Sequence, residues 1–248
     1  MINSHLPFTK LDAIWVYLAA SPLLGLTVTL VAYLIALNIY ARAKHNPLAN
    51  PVLIAVAIVV VALKITDTPH RTYFEGAQFV HVLLGPATVA LALPLYRHWD
   101  KLKRGALPLL GGLVAGSLTA IVSAVGIAKL FGASHQTLAS LAPKSVTTPI
   151  AMAVAEKVGG IPLLTAVLVI STGVFGAVSA RWILDVVRVR EPEVRGFAIG
   201  VASHGIGTAR AFQVGEEMGA FSGLGMGLNG LFTAFIVPVL LPVLLRWT

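Results

Sequence analysis

The sequence predicts an all-α integral membrane protein with about seven transmembrane helices. Of its 248 residues, 57% are apolar and only 11% are charged, and the mean hydropathy is +0.86. Soluble domains carry about 45–50% apolar and about 25% charged residues, so this composition excludes a soluble globular protein. The formal charge of +8 lies in short clusters between neutral runs, which is typical of membrane loops and not of a nucleic-acid-binding face. We expect a single multi-pass domain over 1–248 in the cell inner (plasma) membrane.

Long runs without charged residues set the expected spans, because about 20 apolar residues cross a hydrocarbon core about 30 Å thick. Two shorter neutral segments are interrupted by Lys144 and Arg210. We therefore expect 138–157 to be re-entrant or half-length and 196–213 to be a broken helix. The expected spans are 13–41, 45–63, 76–96, 105–128, 158–180 and 218–245.

The basic segments 97–104 and 181–195 predict the orientation. Each contains four Lys or Arg residues, and such loops are retained on the cytoplasmic side. Both segments lie on that side only if 138–157 enters and leaves from the outside. This topology places the N-terminus outside and the C-terminus inside.

An internal repeat with halves 20–130 and 138–246 is also predicted. Glycine and alanine positions of 105–120 recur in 219–234, and Gly85-Pro86-Ala87-Thr88 is similar to Gly205-Ile206-Gly207-Thr208. Loop 97–104 is basic whereas its counterpart 213–219 contains two glutamates, which favours opposite sides and hence an inverted topology. Inverted repeats are typical of secondary transporters, whose sites lie near the midplane where interrupted helices meet.

The segment 142–151 is the first candidate site. Pro143 and Pro149 break helical hydrogen bonding, which is tolerated at membrane depth only where the backbone is buried or faces water. Freed backbone amides, hydroxyl groups and an ammonium group together can hold a small anion. The alternative is a kinked packing helix whose lysine extends to the surface. The candidate ligands are Lys144, Ser145, Thr147 and Thr148.

The segment 203–211 is the second candidate site. Its glycines permit a non-helical turn, and an arginine within a bilayer marks a site by default. A guanidinium group binds a carboxylate through two hydrogen bonds, and a histidine can carry a proton near neutral pH. In the alternative, Arg210 pairs with Glu216 or Glu217 and the histidine only binds a carbonyl. The candidate residues are Ser203, His204, Gly205, Gly207, Thr208 and Arg210.

Two further residues are weaker candidates. Thr88 lies beside an expected interruption at Gly85-Pro86, and Asn229 is the one amide in the last neutral run. Asn229 either reaches the ligand or makes an interhelical hydrogen bond. The sequence offers no metal-ligand spacing, no catalytic triad and no nucleotide fingerprint. We therefore expect no catalytic residues, no metal, no cofactor and no enzymatic activity.

These motifs resemble the LrgB-like family of bacterial membrane proteins, also called antiholin-like or CidB-like. The resemblance covers about 20–245. It is carried by four stretches, which are Leu84–Leu91, Pro143–Ala151, Ala202–Arg210 and Gly223–Gly230.

The resemblance implies two different functions. One is transport of small monocarboxylates, because plastid relatives carry glycolate and glycerate and bacterial relatives are linked to pyruvate. The other is control of murein hydrolase export and cell lysis together with a small holin-like (LrgA/CidA-like) partner. Two cations at membrane depth with hydroxyl donors favour the carrier, which would bind a small carboxylate and use protons as a candidate coupling ion. The glycine-rich faces make a homo-oligomer an expectation.

Overall fold

The structure, a computed structural model, describes residues 22–90 and 92–246, which are α-helical apart from short connections. They form two compact units that divide between Val89 and Ala90. The helices are α1 Pro22–Arg42, α2 Pro51–Ile65, α3 His70–Ala90, α4 Ala92–Arg97, α5 Trp99–Leu130, α6 His135–Leu141, α7 Thr148–Lys157, α8 Pro162–Val186, α9 Pro192–Val214 and α10 Glu216–Arg246.

Four helices in the described ranges are long and apolar enough to cross a membrane, so the predicted membrane class holds and the count of seven is not confirmed. They are Leu23–Arg42, Trp99–Leu130, Pro162–Val186 and Glu216–Arg246. Helix α2 has only 15 residues. Helix α3 continues through Gly85 and Pro86, so the expected interruption there is wrong. The beginning of the first expected span and Thr248 lie outside the described residues.

The first unit contains α1, α2 and α3. Helices α1 and α3 approach closely at Gly25, where an added Cβ would lie 2.8 Å from the Ala77 nitrogen. The hydroxyl groups of Thr29 and Tyr73 are hydrogen bonded at 2.8 Å. The Asn50 side chain caps the start of α2 by accepting from two backbone amides.

In the second unit, α5 and α10 run side by side in the same direction. Near their starts, Lys101 Nζ lies 2.5 Å from Glu217 Oε1. Near their ends, Lys129 Nζ donates to the Leu244 carbonyl at 3.0 Å. We call the end of this unit that contains Lys101 the proximal end and the end that contains Lys129 the distal end.

Helices α6 and α7 form a short hairpin, here called the distal hairpin. Both of its outer residues, His135 and Lys157, line one cavity with Arg246 at the distal end. Its tip, residues 142–147, reaches the middle of the unit, where the Ser145 carbonyl accepts a hydrogen bond from α10. This geometry agrees with the predicted half-length element that enters and leaves at one end.

Helix α9 is broken at His204, whose φ of 41° and ψ of −137° are not helical. The predicted break in 196–213 is therefore confirmed. The first half of α9 runs along α10 in the same direction, since Gly196 packs on the Met218 backbone and Gly200 on the Ser222 backbone.

The second half of α9 returns to the end where the helix began. Thr208 contacts Ser222 and Phe212 contacts Gly219, so residue numbers rise on α9 while they fall on α10. Helix α9 is thus a second hairpin, here called the proximal hairpin, which does not cross the unit.

This return changes the topology that the sequence predicted. Ion pairs join Lys101 to Glu193 and Arg195 to Asp185, so the two basic segments share the proximal end as expected. The C-terminal turn, however, lies at the distal end with Lys129. The prediction that the C-terminus lies on the side of the basic segments is wrong, because α9 turns back to the end where it began and does not cross the unit.

The predicted inverted repeat is not confirmed either. The matched segments 105–120 and 219–234 lie on α5 and α10, which are parallel, whereas inverted partners would be antiparallel. Glu216 and Glu217 pair with Arg97 and Lys101, so the acidic and basic loops lie at one end. Charges of opposite sign attract across the bundle, and the loop charges therefore do not report opposite sides.

Two other segments run in opposite directions, namely α5 with the distal hairpin and α8 with the proximal hairpin. Helix α5 runs from the proximal to the distal end and is followed by the distal hairpin. Helix α8 begins beside the distal hairpin, where Ile161 N donates to Ser140 Oγ at 2.7 Å. It ends at the proximal end, where Arg195 Nη1 lies 2.7 Å from Asp185 Oδ1, and is followed by the proximal hairpin.

Candidate functional site

The tips of the two hairpins meet between α8 and α10. The Asn229 amide of α10 donates to the Ser145 carbonyl of the distal tip at 3.3 Å and to the Val201 carbonyl of the proximal hairpin at 2.8 Å. At a rise of 1.5 Å per residue, Asn229 is about 20 Å from the start of α10 and about 25 Å from its end. The junction therefore lies near the middle of the unit.

Helix α8 supplies a second junction at Val169. Its side chain packs against Val146 of the distal tip and Ala151 of α7, and its carbonyl lies 3.0 Å from His204 Nε2 of the proximal tip. One residue of α8 thus contacts both hairpins.

The proximal tip turns at His204 and not at the glycines that the sequence suggested. A φ of 41° is unusual for a residue with a side chain, and the hydrogen bond to the Val169 carbonyl holds the ring in place. Gly173 of α8 makes room for that ring, because an added Cβ would lie 2.6 Å from His204 Cε1. The hydrogen bond from the histidine to a carbonyl that the alternative expected is present, and the role of His204 as a ligand or proton carrier stays a prediction.

The glycines and hydroxyl groups of 203–211 mainly pack the hairpin. An added Cβ at Gly207 would lie 2.5 Å from Ser203 Cβ, so Gly207 lets the two halves of α9 approach. Ser203 is buried against Gly176 of α8. Gly205 is half-buried next to the turn.

Thr208 closes the proximal turn. Its hydroxyl donates to the His204 carbonyl at 2.8 Å and lies 2.9 Å from Ser222 Oγ. Because the hydroxyl has both of these partners, Thr208 stabilises the hairpin and is a weaker ligand candidate than the sequence suggested.

The distal tip contains Lys144, whose side chain is half-buried. Within residues 22–90 and 92–246, its ammonium group makes no hydrogen bond or ion pair. Thr147 is the N-cap residue of α7 but makes no side-chain capping bond, and Pro149 lies in the first turn. Ser145 is buried and Thr148 is half-buried. The cation and the hydroxyl groups that the sequence predicted therefore lie on the distal tip and the first residue of α7, and their role as ligands stays a prediction.

Both hairpins direct the N-terminus of a half-helix toward the middle of the unit. These half-helices are 148–157 and 205–214. Their free amides carry partial positive charge. Three carbonyl groups at the tips already have side-chain donors, since Asn229 binds those of Ser145 and Val201 and Thr208 binds that of His204. This distribution of charge favours an anion at the tips.

Arg210 lies on the returning half of the proximal hairpin, about 9 Å along the helix from His204 at 1.5 Å per residue. Its side chain is half-buried and donates to Gln213 Oε1 at 3.2 Å. Glu216 binds Arg97 and Glu217 binds Lys101.

Three residues of the junction were not anticipated from the sequence, namely Val169, Gly173 and Ser117 of α5, whose hydroxyl donates to Asn229 Oδ1 at 2.6 Å. Gly173 and Gly176 are spaced three apart on α8, which indicates a close helix approach but not its partner. The side chain of Thr88 lies outside the described part of the structure, so its expected role is not tested. Among the described residues, no three His, Cys, Asp or Glu side chains form a group that could hold a metal.

The fold and this junction define an integral membrane protein in which two hairpins enter from opposite ends and meet between longer helices. The chain belongs to the LrgB-like family, whose model matches residues 29–243. It is 36% identical to "Uncharacterized protein YxaC" of Bacillus subtilis (strain 168), over 85% of this chain and 91% of the relative. It is 32% identical to "Antiholin-like protein LrgB" of Bacillus mycoides (strain KBAB4), over 90% of this chain and 96% of the relative. No solved structure matches the chain.

Proposed function

We propose that this protein is a carrier for a small carboxylate anion in the plasma membrane, and not an enzyme. The observation that carries the proposal is the Lys144 ammonium group at the distal tip, which has no protein partner in the described ranges. Lys144 is half-buried near the middle of the unit, and a charged group at membrane depth is costly unless it is paired. A bound carboxylate supplies the opposite charge.

The surroundings of Lys144 support an anion of small size. Thr147 and Thr148 lie at the start of α7, where backbone amides and hydroxyl groups can donate to carboxylate oxygens. The adjoining residues Val146 and Ala151 are fully buried. A ligand at this tip therefore has polar donors on one side and close apolar packing on the other, which suits a monocarboxylate of a few carbon atoms.

The two hairpins support transport and not only binding. Each enters from one end, so displacement of the distal hairpin would expose the tips to one side of the membrane and displacement of the proximal hairpin to the other. Interrupted helices that meet at the midplane are typical of secondary transporters. In this proposal, Arg210 binds the same anion on the proximal path or guides it there.

A second candidate function is regulation of cell lysis. It is supported by relatives named "Antiholin-like protein LrgB" at 31–32% identity. In this candidate, the chain acts through a small holin-like membrane partner, and the hairpins serve only as packing elements.

Uptake into liposomes distinguishes the two functions. Purified protein without any partner should take up labelled glycolate, glycerate, lactate or pyruvate with saturable kinetics. Lys144→Met should raise the half-saturation constant by roughly ten- to hundredfold, since a charge-assisted hydrogen bond contributes about 1.5–3 kcal/mol. Lys157→Met is the matched control, because Lys157 is exposed at the outer end of the same hairpin, and its kinetics should be unchanged.

Absence of saturable uptake for all four acids would contradict the carrier. If a large dye then leaked when a small holin-like partner was added, the lysis-related function would be favoured. Equal kinetics for Lys144→Met and the unmodified protein would show that Lys144 does not bind the anion.

A further inference from the structure

The side chain of Asn229 uses its whole hydrogen-bonding capacity on the protein. Its Oδ1 accepts from Ser117 Oγ at 2.6 Å and from Thr233 Oγ1 at 3.2 Å. Its Nδ2 donates to the carbonyls of Ser145 and Val201. An amide offers two acceptor positions and two donors, and the residue is only 1% exposed. In this arrangement every donor and acceptor position of the Asn229 side chain is engaged by protein groups, as in the interhelical alternative that the sequence left open.

The hydrogen-bond partners of Asn229 are divided between the long parallel helices and the two hairpins. The two groups that bind Oδ1 belong to the parallel helices, with Ser117 on α5 and Thr233 on α10, so they fix the plane of the amide. The two groups that bind Nδ2 belong to different hairpins that enter from opposite ends. One rigid planar group thus holds both tips closed.

We propose that Asn229 is the positioning residue that seals the two hairpins against each other, so that either hairpin opens by giving up one N–H bond while the other bond persists. This inference rests on the proposed carrier function. A state with both hairpins open would leave both buried N–H groups of Asn229 without protein partners, and an unsatisfied buried donor is costly. The seal therefore disfavours a continuous path through the protein.

Amide hydrogen exchange tests the seal without any substrate. In Asn229→Ala, exchange in the distal tip 142–147 and in the proximal tip 201–206 should rise together by at least about tenfold. Exchange in 53–63 of α2, in the first unit, should not change. Ser222→Ala is the matched control, because Ser222 is equally buried on α10 but contacts only the proximal hairpin through Thr208, so only the proximal tip should respond.

A rise at one tip alone, or no rise at either tip, in Asn229→Ala would overturn the proposal. A rise throughout the second unit would also overturn it, because it would mark Asn229 as a general stabilising residue. If Asn229→Ala does not fold, Ser117→Ala keeps the amide and removes one of the two bonds that orient it. It should raise exchange at both tips by a smaller factor, and a change at neither tip or at one would count against the seal.

Flux gives a readout that simple destabilisation would not produce. In liposomes, Asn229→Ala should turn saturable carboxylate uptake into flux that rises linearly with concentration. Retained saturable uptake by this variant would refute the seal. If instead the unmodified protein shows no uptake, the carrier proposal fails, and the exchange experiment still decides whether Asn229 joins the tips.

Discussion

Replacement of Gly173 by alanine tests whether the slot in α8 positions the proximal tip. The new Cβ would lie 2.6 Å from His204 Cε1 and 2.7 Å from His204 Nε2. Ordinary contacts begin at 3.4 Å, so the ring has to withdraw by about 0.8 Å. A movement of this size away from α8 lengthens the 3.0 Å hydrogen bond to the Val169 carbonyl beyond the useful range.

The expected cost follows from these distances. Overpacking of a buried site costs about 1–3 kcal/mol, and loss of one partner of a buried hydrogen bond costs about 1–3 kcal/mol. The two costs overlap because the His204 ring relieves the clash by giving up the hydrogen bond. We therefore expect the free energy of unfolding to fall by about 2 kcal/mol. For a chain of this length, that corresponds to a fall of about 4–8 °C in the midpoint of thermal unfolding.

Thermal unfolding in detergent micelles measures the effect, with two comparisons. Gly126→Ala is the matched control, because no atom lies within 4 Å of its added Cβ, and it should lose no stability. Gly173→Ala should cost much less in a His204→Gly background, where the ring is gone. An equally large fall in that background would refute the slot, since the clash would then involve another part of the molecule.

Two further predictions concern the cation and the topology. Arg210→Lys should raise the half-saturation constant for carboxylate at least about tenfold, because a bidentate fork is lost while the charge stays, and Arg210→Ala should be inactive. If uptake by Arg210→Ala returned when Glu216 and Glu217 were also changed to alanine, Arg210 would be a structural partner of these glutamates and not a ligand of the carboxylate. For the topology, the chain has no cysteine, so single cysteines report cleanly. Cysteines near 100 and 190 should be protected from an impermeant thiol reagent applied outside, and one near 133 should react. Labelling of 190 from outside would contradict the position of both basic segments at the proximal end.

Sequence features at the two tips were sufficient to predict the half-length element at 138–157 and the break in 196–213. Pro143 and Pro149 remove backbone hydrogen bonds, and a lysine inside an apolar stretch shortens the run that lipid can surround. These properties are local, so they predicted a half-length element at 138–157 without knowledge of its neighbours. The break near 203–207 was predicted for the same reason, since glycines lower the cost of leaving the helix.

The position of the second break shows where local reasoning ends. Glycine is the residue that most readily adopts a positive φ, and the sequence therefore pointed to Gly205 or Gly207. The break is at His204 because a carbonyl on another helix binds its ring and Gly173 leaves room for it. Hydrogen bonds between distant segments outweighed the local preference of the backbone.

The amino-acid sequence by itself determined that this is a helical membrane protein of the LrgB-like family, because hydropathy and motifs are properties of short stretches. It did not determine that α9 turns back, since a helix that returns and one that crosses have the same length and composition. Whether α9 returns or crosses sets the direction of α10 and the end at which the C-terminus lies. Only the tertiary structure, through the contacts of α9 with α8 and α10, decided it, and only that structure showed Asn229 to be fully engaged by protein groups.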